Sequence, residues 1–449
     1  MMNDGVGQNA VSAGGDFALE RVPAEGRRPM RDVLWIELGI VTATSEFVLA
    51  ATLGYSMSLP RAMIAVTLGT TLLILIGGLI GIAGAEQGLP AGLLARWSGF
   101  GKIGSASISF VLSCGNLAWF GVQNSICAQA VQRATAGRLS FTLVSILTGS
   151  LLVVIAALGF KSLARTASLI VPLFVVVAAY GTYRALTGTA LAILLQRPPT
   201  GPPMSIATGA DLVVGSFIVG AVLAPDLTRF CRRGRDAFWV MAIALVLGQI
   251  VLGLAGVLLS HAAQTRDVIS IIFQAAGWLG VTVVFLATVK LNDVNLYSTS
   301  LHLINAIQIV TGRELSRVKL TVVAGAIGII FSILGILDHI TQFLMLLGII
   351  MAPVGGIVIA DYFLLRRHRA VLAGIQDTRR LQDSAPNWSP WAFAAWILGA
   401  AAGLSIHTGV TTLNAVVVSA VSYCVLIKAA DLVAGRTGAP EQLLPGDAG

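Results

Sequence analysis

In the stretch FLATVKLNDVNLYSTSL (residues 285–301), a lysine, an aspartate and two asparagines interrupt a run that is otherwise apolar enough to cross a bilayer. A charge at the bilayer centre costs at least about 3 kcal/mol, so such groups persist where a partner or a polar path compensates them. Lys290 and Asp293 are three residues apart and can pair along one helix face, beside a polar stripe of Asn292, Asn295 and Ser298 or Thr299. A buried ammonium needs a counter-charge, and the candidates here are Asp293 on the same helix and Glu46 if the first and eighth spans touch. Asparagine amides both donate and accept, which suits the rim of a polar ligand. The competing reading is a structural charge network that only cements helices.

A second constellation lies in SCGNLAWFGVQNS (residues 113–125), where Trp119 and Gln123 are four apart and share a helix face. A flat indole next to an amide suits a planar heterocycle, although an interfacial Trp and a packing Gln would look the same. Two further segments carry residues able to break a helix. ELGIVTATSEF has Gly39, Thr42, Thr44, Ser45 and Glu46, and VVGSFIVGAVLAPDLTRF has Gly215, Ser216, Gly220 and Pro225. Broken helices near the midplane are where secondary transporters expose backbone groups to ions and substrate. Small residues that merely allow close packing are the alternative. Asp226, after Pro225, pairs with Arg229 or a neighbouring loop as an inner gate, or forms an ordinary solvated salt bridge.

These residues need spans to hold them. The chain has 449 residues, 56% of them hydrophobic and only 11% charged, against about 25% charged in soluble domains. With roughly 20 residues per crossing, twelve spans fit, near 33–57, 62–84, 104–132, 139–159, 166–188, 210–228, 237–261, 276–304, 318–336, 341–364, 390–406 and 411–432. The segment EQGLPAGLLARWSGFGK is too polar to span and is expected at the interface. With the N-terminus inside, 22 Lys and Arg fall in inner loops and 6 in outer ones, with Lys290 left over. That bias places both termini in the cytoplasm of a multi-pass inner (plasma) membrane protein. The net charge of +8 is spread through these loops, so nucleic acid is not expected as a partner. Four cysteines and five histidines are scattered, without metal-ligand or disulfide spacing. No phosphate loop, Ser/His/Asp set or HExxH motif is present, so neither an ATP-driven pump nor an enzyme is expected.

The blocks GNLAWFGV, LVVGSFIVGAVLAPDLTRFCR, NDVNLYSTSL and APVGGIVIADYFLLRR occur in this order. Through them the chain, from about residue 30 to 432, resembles the nucleobase–cation symporter-1 family and its bacterial cytosine permease branch. The resemblance implies an all-α membrane protein of twelve transmembrane helices: a five-plus-five inverted repeat of the LeuT type, with helices 1 and 6 discontinuous, and two extra C-terminal helices. The chain then divides into a disordered tail (1–30), a transport core (31–365), a loop (366–389), two helices (390–432) and a second tail (433–449). The resemblance also implies Trp119, Gln123, Ser216, Phe217 and Asn292 around the substrate, with Asn295 near by. For the family's sodium site it implies carbonyls at Gly39, Thr42 and Ala287, and two hydroxyl residues that fall here on Lys290 and Leu291. Leu291 has no oxygen and Lys290 brings a positive charge. The expectation is that the Lys290 ammonium replaces sodium, offset by Glu46 or Asp293, with coupling to H⁺ rather than Na⁺ and proton exchange on Lys290 as one coupling step.

The expected activity is secondary active import of a nucleobase, cytosine first, by alternating access. Alternatives are another planar heterocycle (a purine, hydantoin, allantoin or hydroxymethylpyrimidine) or a non-transporting membrane receptor for such rings. No cofactor and no obligate protein partner are expected.

Overall fold

A computed structural model describes residues 20–158, 191–313, 315–367, 369–374 and 385–434, with isolated positions between 172 and 187. The expected fifth span (166–188) and most of the two tails lie outside the described residues. The described chain is helical, with no β-strand. The helices are α1 (Met30–Val41), α2 (Thr44–Ser56), α3 (Leu59–Gln87), α4 (Gly101–Ala134), α5 (Phe141–Leu158) and α6 (Ile206–Val222). They continue as α7 (Gly234–Ala263), α8 (Val268–Thr311), α9 (Arg317–Ile333), α10 (Ile340–Leu365), α11 (Pro390–Ser405) and α12 (Thr411–Val433).

Six of these are long and apolar enough to cross a membrane, and α1 with α2, bent by 56°, makes a seventh. Leucine, isoleucine and valine side chains such as Leu75, Val154, Ile397 and Val421 remain exposed on the outside. In a bilayer that surface faces hydrocarbon, so its exposure carries no penalty. Between the helices the packing is close. Gly54 of α2 lies against the backbone of Val257 in α7, and Gly69 of α3 lies against Ala210 and Val213 of α6, leaving no room for a Cβ at either position. Small residues at crossings replace the hydrophobic driving force that lipid cannot supply.

The two breakable segments behave differently. The first span breaks where expected: Thr42 (ψ 88°) and Ala43 (φ −129°, ψ 148°) leave helical geometry, and α2 restarts at Thr44. In the sixth span Gly215, Ser216 and Gly220 all lie inside an uninterrupted α6. Gly215 instead makes room for the backbone of Leu344 in α10, and Gly220 for the ring of Phe217. The interruption comes later, at Leu223, before a short helix Ala224–Thr228 that carries Pro225 near its start. Of the two readings open for these glycines the structure shows close approach, and the proline of the same segment marks the discontinuity.

The segment after α3 is also more enclosed than expected. A short helix (Ala91–Ala95) and a π-turn (Arg96–Phe100) are buried, with Phe100 edge-on to Phe393 and Trp396 of α11. Arg96 is hydrogen-bonded within protein, donating to Asn305 of α8 at 2.8 Å and Ser105 at 3.3 Å.

Candidate functional site

A cavity of about 570 Å³ opens beside the break between α1 and α2. In its inner part Trp119 and Gln123 of α4 meet Ser45 and Glu46 of α2, and Ser216 and Phe217 of α6. The four-residue spacing that puts Trp119 and Gln123 on one face of α4 thus aims both into the same space. The Trp119 indole is 9% exposed and held edge-on by Phe343 of α10, with centroids 5.5 Å apart at 71°. Gln123 Nε2 donates to Ser45 Oγ at 2.9 Å, tying α4 to the residue that follows the break. Gln249 of α7 donates to Ser216 Oγ at 3.0 Å, and the Ser216 hydroxyl donates to Val213 O at 2.8 Å.

Of the helix-8 residues, Asn295 and Ser298 line the cavity and Asn292 does not. Asn292 is fully buried, donates to Phe120 O at 3.3 Å and accepts from Asn295 Nδ2 at 3.2 Å. It therefore positions Asn295 from behind, where the edge of a ligand had been expected to meet Asn292 itself. Asn116 joins this rim through Ser298 at 3.2 Å.

Lys290 extends away from the cavity. Its Nζ donates to Gly39 O at 2.5 Å, and a Cβ on residue 39 would collide with the ammonium. No ion pair joins Lys290 to Glu46 or to Asp293 among the described residues; the charge acting on Asp293 is that of Arg317 at the start of α9. The expected intrahelical pair is thus not formed, because the lysine stem reaches across to the Gly39 carbonyl of α1. Thr42 Oγ1 is taken by Leu38 O at 2.6 Å, and Ala287 is buried in an apolar cluster with Phe47 and Val283. In this arrangement the ammonium already holds the Gly39 carbonyl, and Leu291 offers no oxygen to a cation.

From this centre the cavity continues to the end of the molecule that carries Arg28 and Arg229. Asp226 stands there, and of its two expected partners its side chain meets the neighbouring loop rather than Arg229. Its carboxylate accepts from Ala91 N at 2.8 Å and lies 3.7 Å from His302 Nε2. Arg229 donates to the Asp226 backbone carbonyl, at 3.1 Å, not to the side chain. The contact to Ala91 is the neighbouring-loop alternative; His302, a lone histidine with no motif around it, carried no signal in the sequence. Glu37, only 4% exposed and also facing the cavity, was equally silent. At the opposite end Arg133 of α4 pairs with Asp267 at 2.5 Å in the loop before α8. Burial raises the Asp267 carboxyl, yet hydrogen bonds from Arg133 and Ser270 outweigh it and leave the group below its ordinary value.

Comparison with known proteins bears on the family and the fold. Residues 22–426 match the family described as permease for cytosine/purines, uracil, thiamine and allantoin. The chain is 31% identical over 418 residues to the cytosine permease of Escherichia coli K12, covering 93% of this chain and 95% of that one. It is 23% identical over 389 residues to the hydantoin permease of Microbacterium maritypicum, covering 81% and 77% respectively. Among solved structures it is similar to Mhp1 in an inward-facing conformation (TM-score 0.77, 19% identity, 91% of this chain and 93% of that one). It is equally similar to Mhp1 closed with bromovinylhydantoin bound (TM-score 0.77, 19% identity, 92% and 95%). The architecture is accordingly the LeuT-type inverted repeat of that transporter.

Proposed function

The chain belongs to the family of permeases for cytosine/purines, uracil, thiamine and allantoin, and from that premise we propose that it is a secondary active importer of a nucleobase, cytosine first, working by alternating access. The observation that carries this reading is the convergence of Trp119 and Phe217 on one cavity of ligand size, ringed by Gln123, Ser216 and Asn295. A flat base would stack on the aromatic side chains and place its polar edge on the amides and hydroxyls. Each edge group left unpaired would cost about 1–3 kcal/mol, which is why a polar rim is needed at all. The cavity runs out at the arginine-rich end, the end that charge bias assigns to the cytoplasm. This conformation is the one from which the ring would be released inside the cell, with both termini on that side of the plasma membrane.

We further propose that coupling is to H⁺. The family's cation position is filled by a side chain that brings its own charge, so transport would need no sodium. Uptake into proteoliposomes in sodium-free buffer should proceed at an undiminished rate under a proton gradient; strict sodium dependence would sink this part. A thermal-shift screen of the purified protein over nucleobases and hydantoins, with and without Na⁺, tests the substrate class, because a ligand stabilises the state it binds. Cytosine should give the largest shift, unaffected by Na⁺. A larger shift with hydantoins would favour the reading that Gln123 and the likeness to the hydantoin permease support. Stabilisation without uptake would make the chain a receptor.

A further inference from the structure

The cavity contains a carboxyl group whose hydrogen-bonding capacity the protein leaves largely unused. Glu46, in the first turn of α2, is 5% exposed and faces the cavity. Ser216 Oγ lies 3.4 Å from Oε2, but the single hydrogen of that hydroxyl is better placed on Val213 O at 2.8 Å. The Gln249 amide is the other side-chain donor within reach.

Nor does any neighbouring element supply a countercharge. From α7 comes His261, tied to Met57 O at the far end; from α6 comes Asp211, which accepts from the backbone of Thr411 and Thr412. Helix α4 brings Cys127 in its buried part, and α3 brings Arg61 and Glu86 only at its two ends. Helix α8 brings Lys290, held by Gly39 O, together with Asp293 and His302, the latter beside Asp226. Glu37, on α1, and Arg28 and Arg229 share the cavity farther towards its mouth. No ion pair reaches Glu46 from any of these among the described residues. While the cavity is open, water can solvate the carboxylate. Once a ring fills the space, a bare carboxylate facing it would be neither solvated nor paired.

Resting on the nucleobase reading above, we propose that Glu46 reads the substrate's edge and that binding places one solvent proton between them. The class of ligand this fits is the amino-azine, a ring with a C(NH₂)=N edge. In the bound state one carboxyl oxygen donates its O–H to the ring nitrogen and the other accepts from the exocyclic N–H. The carboxylate and one proton from solvent become a neutral acid, the ring is unchanged, and each ring therefore enters the occluded site together with one proton. Lys290 takes no part in this exchange and stays a fixed cation.

The test is isothermal titration of the full-length protein with cytosine near pH 8, in two buffers of different ionisation enthalpy. About one proton should be taken up per ring, and affinity should fall about tenfold per pH unit above neutrality. Glu46→Gln keeps a donor and an acceptor but cannot titrate; it should bind cytosine with no proton uptake and no pH slope. Lys290→Met should keep the uptake. Cytosine binding to the wild-type protein without proton uptake overturns the proposal, as does uptake that survives Glu46→Gln or disappears in Lys290→Met. Failure of every aminopyrimidine to bind the wild type overturns the nucleobase reading as well, so the two failures are distinguishable. The wild-type measurement stands even where a variant does not fold.

Discussion

Lys290 and Glu46 sit on either side of the break in the first span, and the protein treats them in opposite ways. The lysine is withdrawn from the cavity and spends its charge on the Gly39 carbonyl just before the break. The glutamate, just after it, faces the cavity with a long contact to Ser216, the Gln249 amide within reach and no countercharge among the described residues. One charge has a permanent partner made of backbone, and the other has a vacancy of the size and polarity of a ligand. Two ionisable groups near one another in a membrane need not neutralise each other; each can be assigned its own compensation, and only the uncompensated one is available for substrate.

The largest expected effect tests that division on the ligand side. Replacing Glu46 by Leu removes the cavity carboxyl and both hydrogen bonds of the neutral acid to the ring, each about 0.5–1.5 kcal/mol, and leaves the ring edge unpaired. Cytosine affinity should fall roughly 10- to 150-fold, measured by titration calorimetry. Lys290→Met should leave affinity within about threefold, because the ammonium does not line the cavity. A comparable loss in both variants would mean that the two charges act as one unit.

The next effect is smaller and of opposite sign in the two variants. Without ligand, Lys290→Met abandons a buried carbonyl and should lower the thermal midpoint by roughly 2–5 °C. Glu46→Leu removes a buried acid with no countercharge, a change that is commonly neutral or stabilising, and should leave the midpoint unchanged or raise it by a degree or two. A destabilised Glu46→Leu would show that the carboxyl has a structural partner in the empty protein.

How far this contrast was legible beforehand depends on what sort of information it needs. Apolar runs and the Thr–Ser–Glu cluster in ELGIVTATSEF were enough to place the described long helices and the first break, since both are local properties of the chain. Trp119 and Gln123 were legible for the same reason: a four-residue spacing keeps its meaning on any helix. Gly215 and Gly220 were misleading, because a glycine looks alike whether it frees the backbone or admits a neighbour. The neighbours, Leu344 and the Phe217 ring, are defined by packing. Lys290 and Asp293 had the spacing of a pair, yet a long lysine stem can reach another helix, and the Gly39 carbonyl it found has no signature in sequence. Asn292 meets the Phe120 carbonyl for the same reason, and His302, which carried no signal, meets Asp226 across a helix interface.

The smallest expected effect is the most direct measure of the separation. A double-mutant cycle on Lys290→Met and Glu46→Gln should give a coupling energy below about 0.5 kcal/mol in thermal or chemical unfolding, as for residues without shared partners. Arg133 and Asp267 supply the control, because they form an ion pair. Their cycle should show measurable coupling at pH 7. Since hydrogen bonding to Arg133 and Ser270 holds the Asp267 carboxyl below its ordinary value despite burial, that contribution is present above the unfolded value. It is lost as pH falls through the folded one, below about pH 4. The same acidification should leave the Lys290–Glu46 coupling where it began, near zero. Coupling of 1 kcal/mol or more between Lys290 and Glu46 at pH 7 would mean that they share a network after all, and Glu46 would then belong with the fixed charges rather than with the substrate.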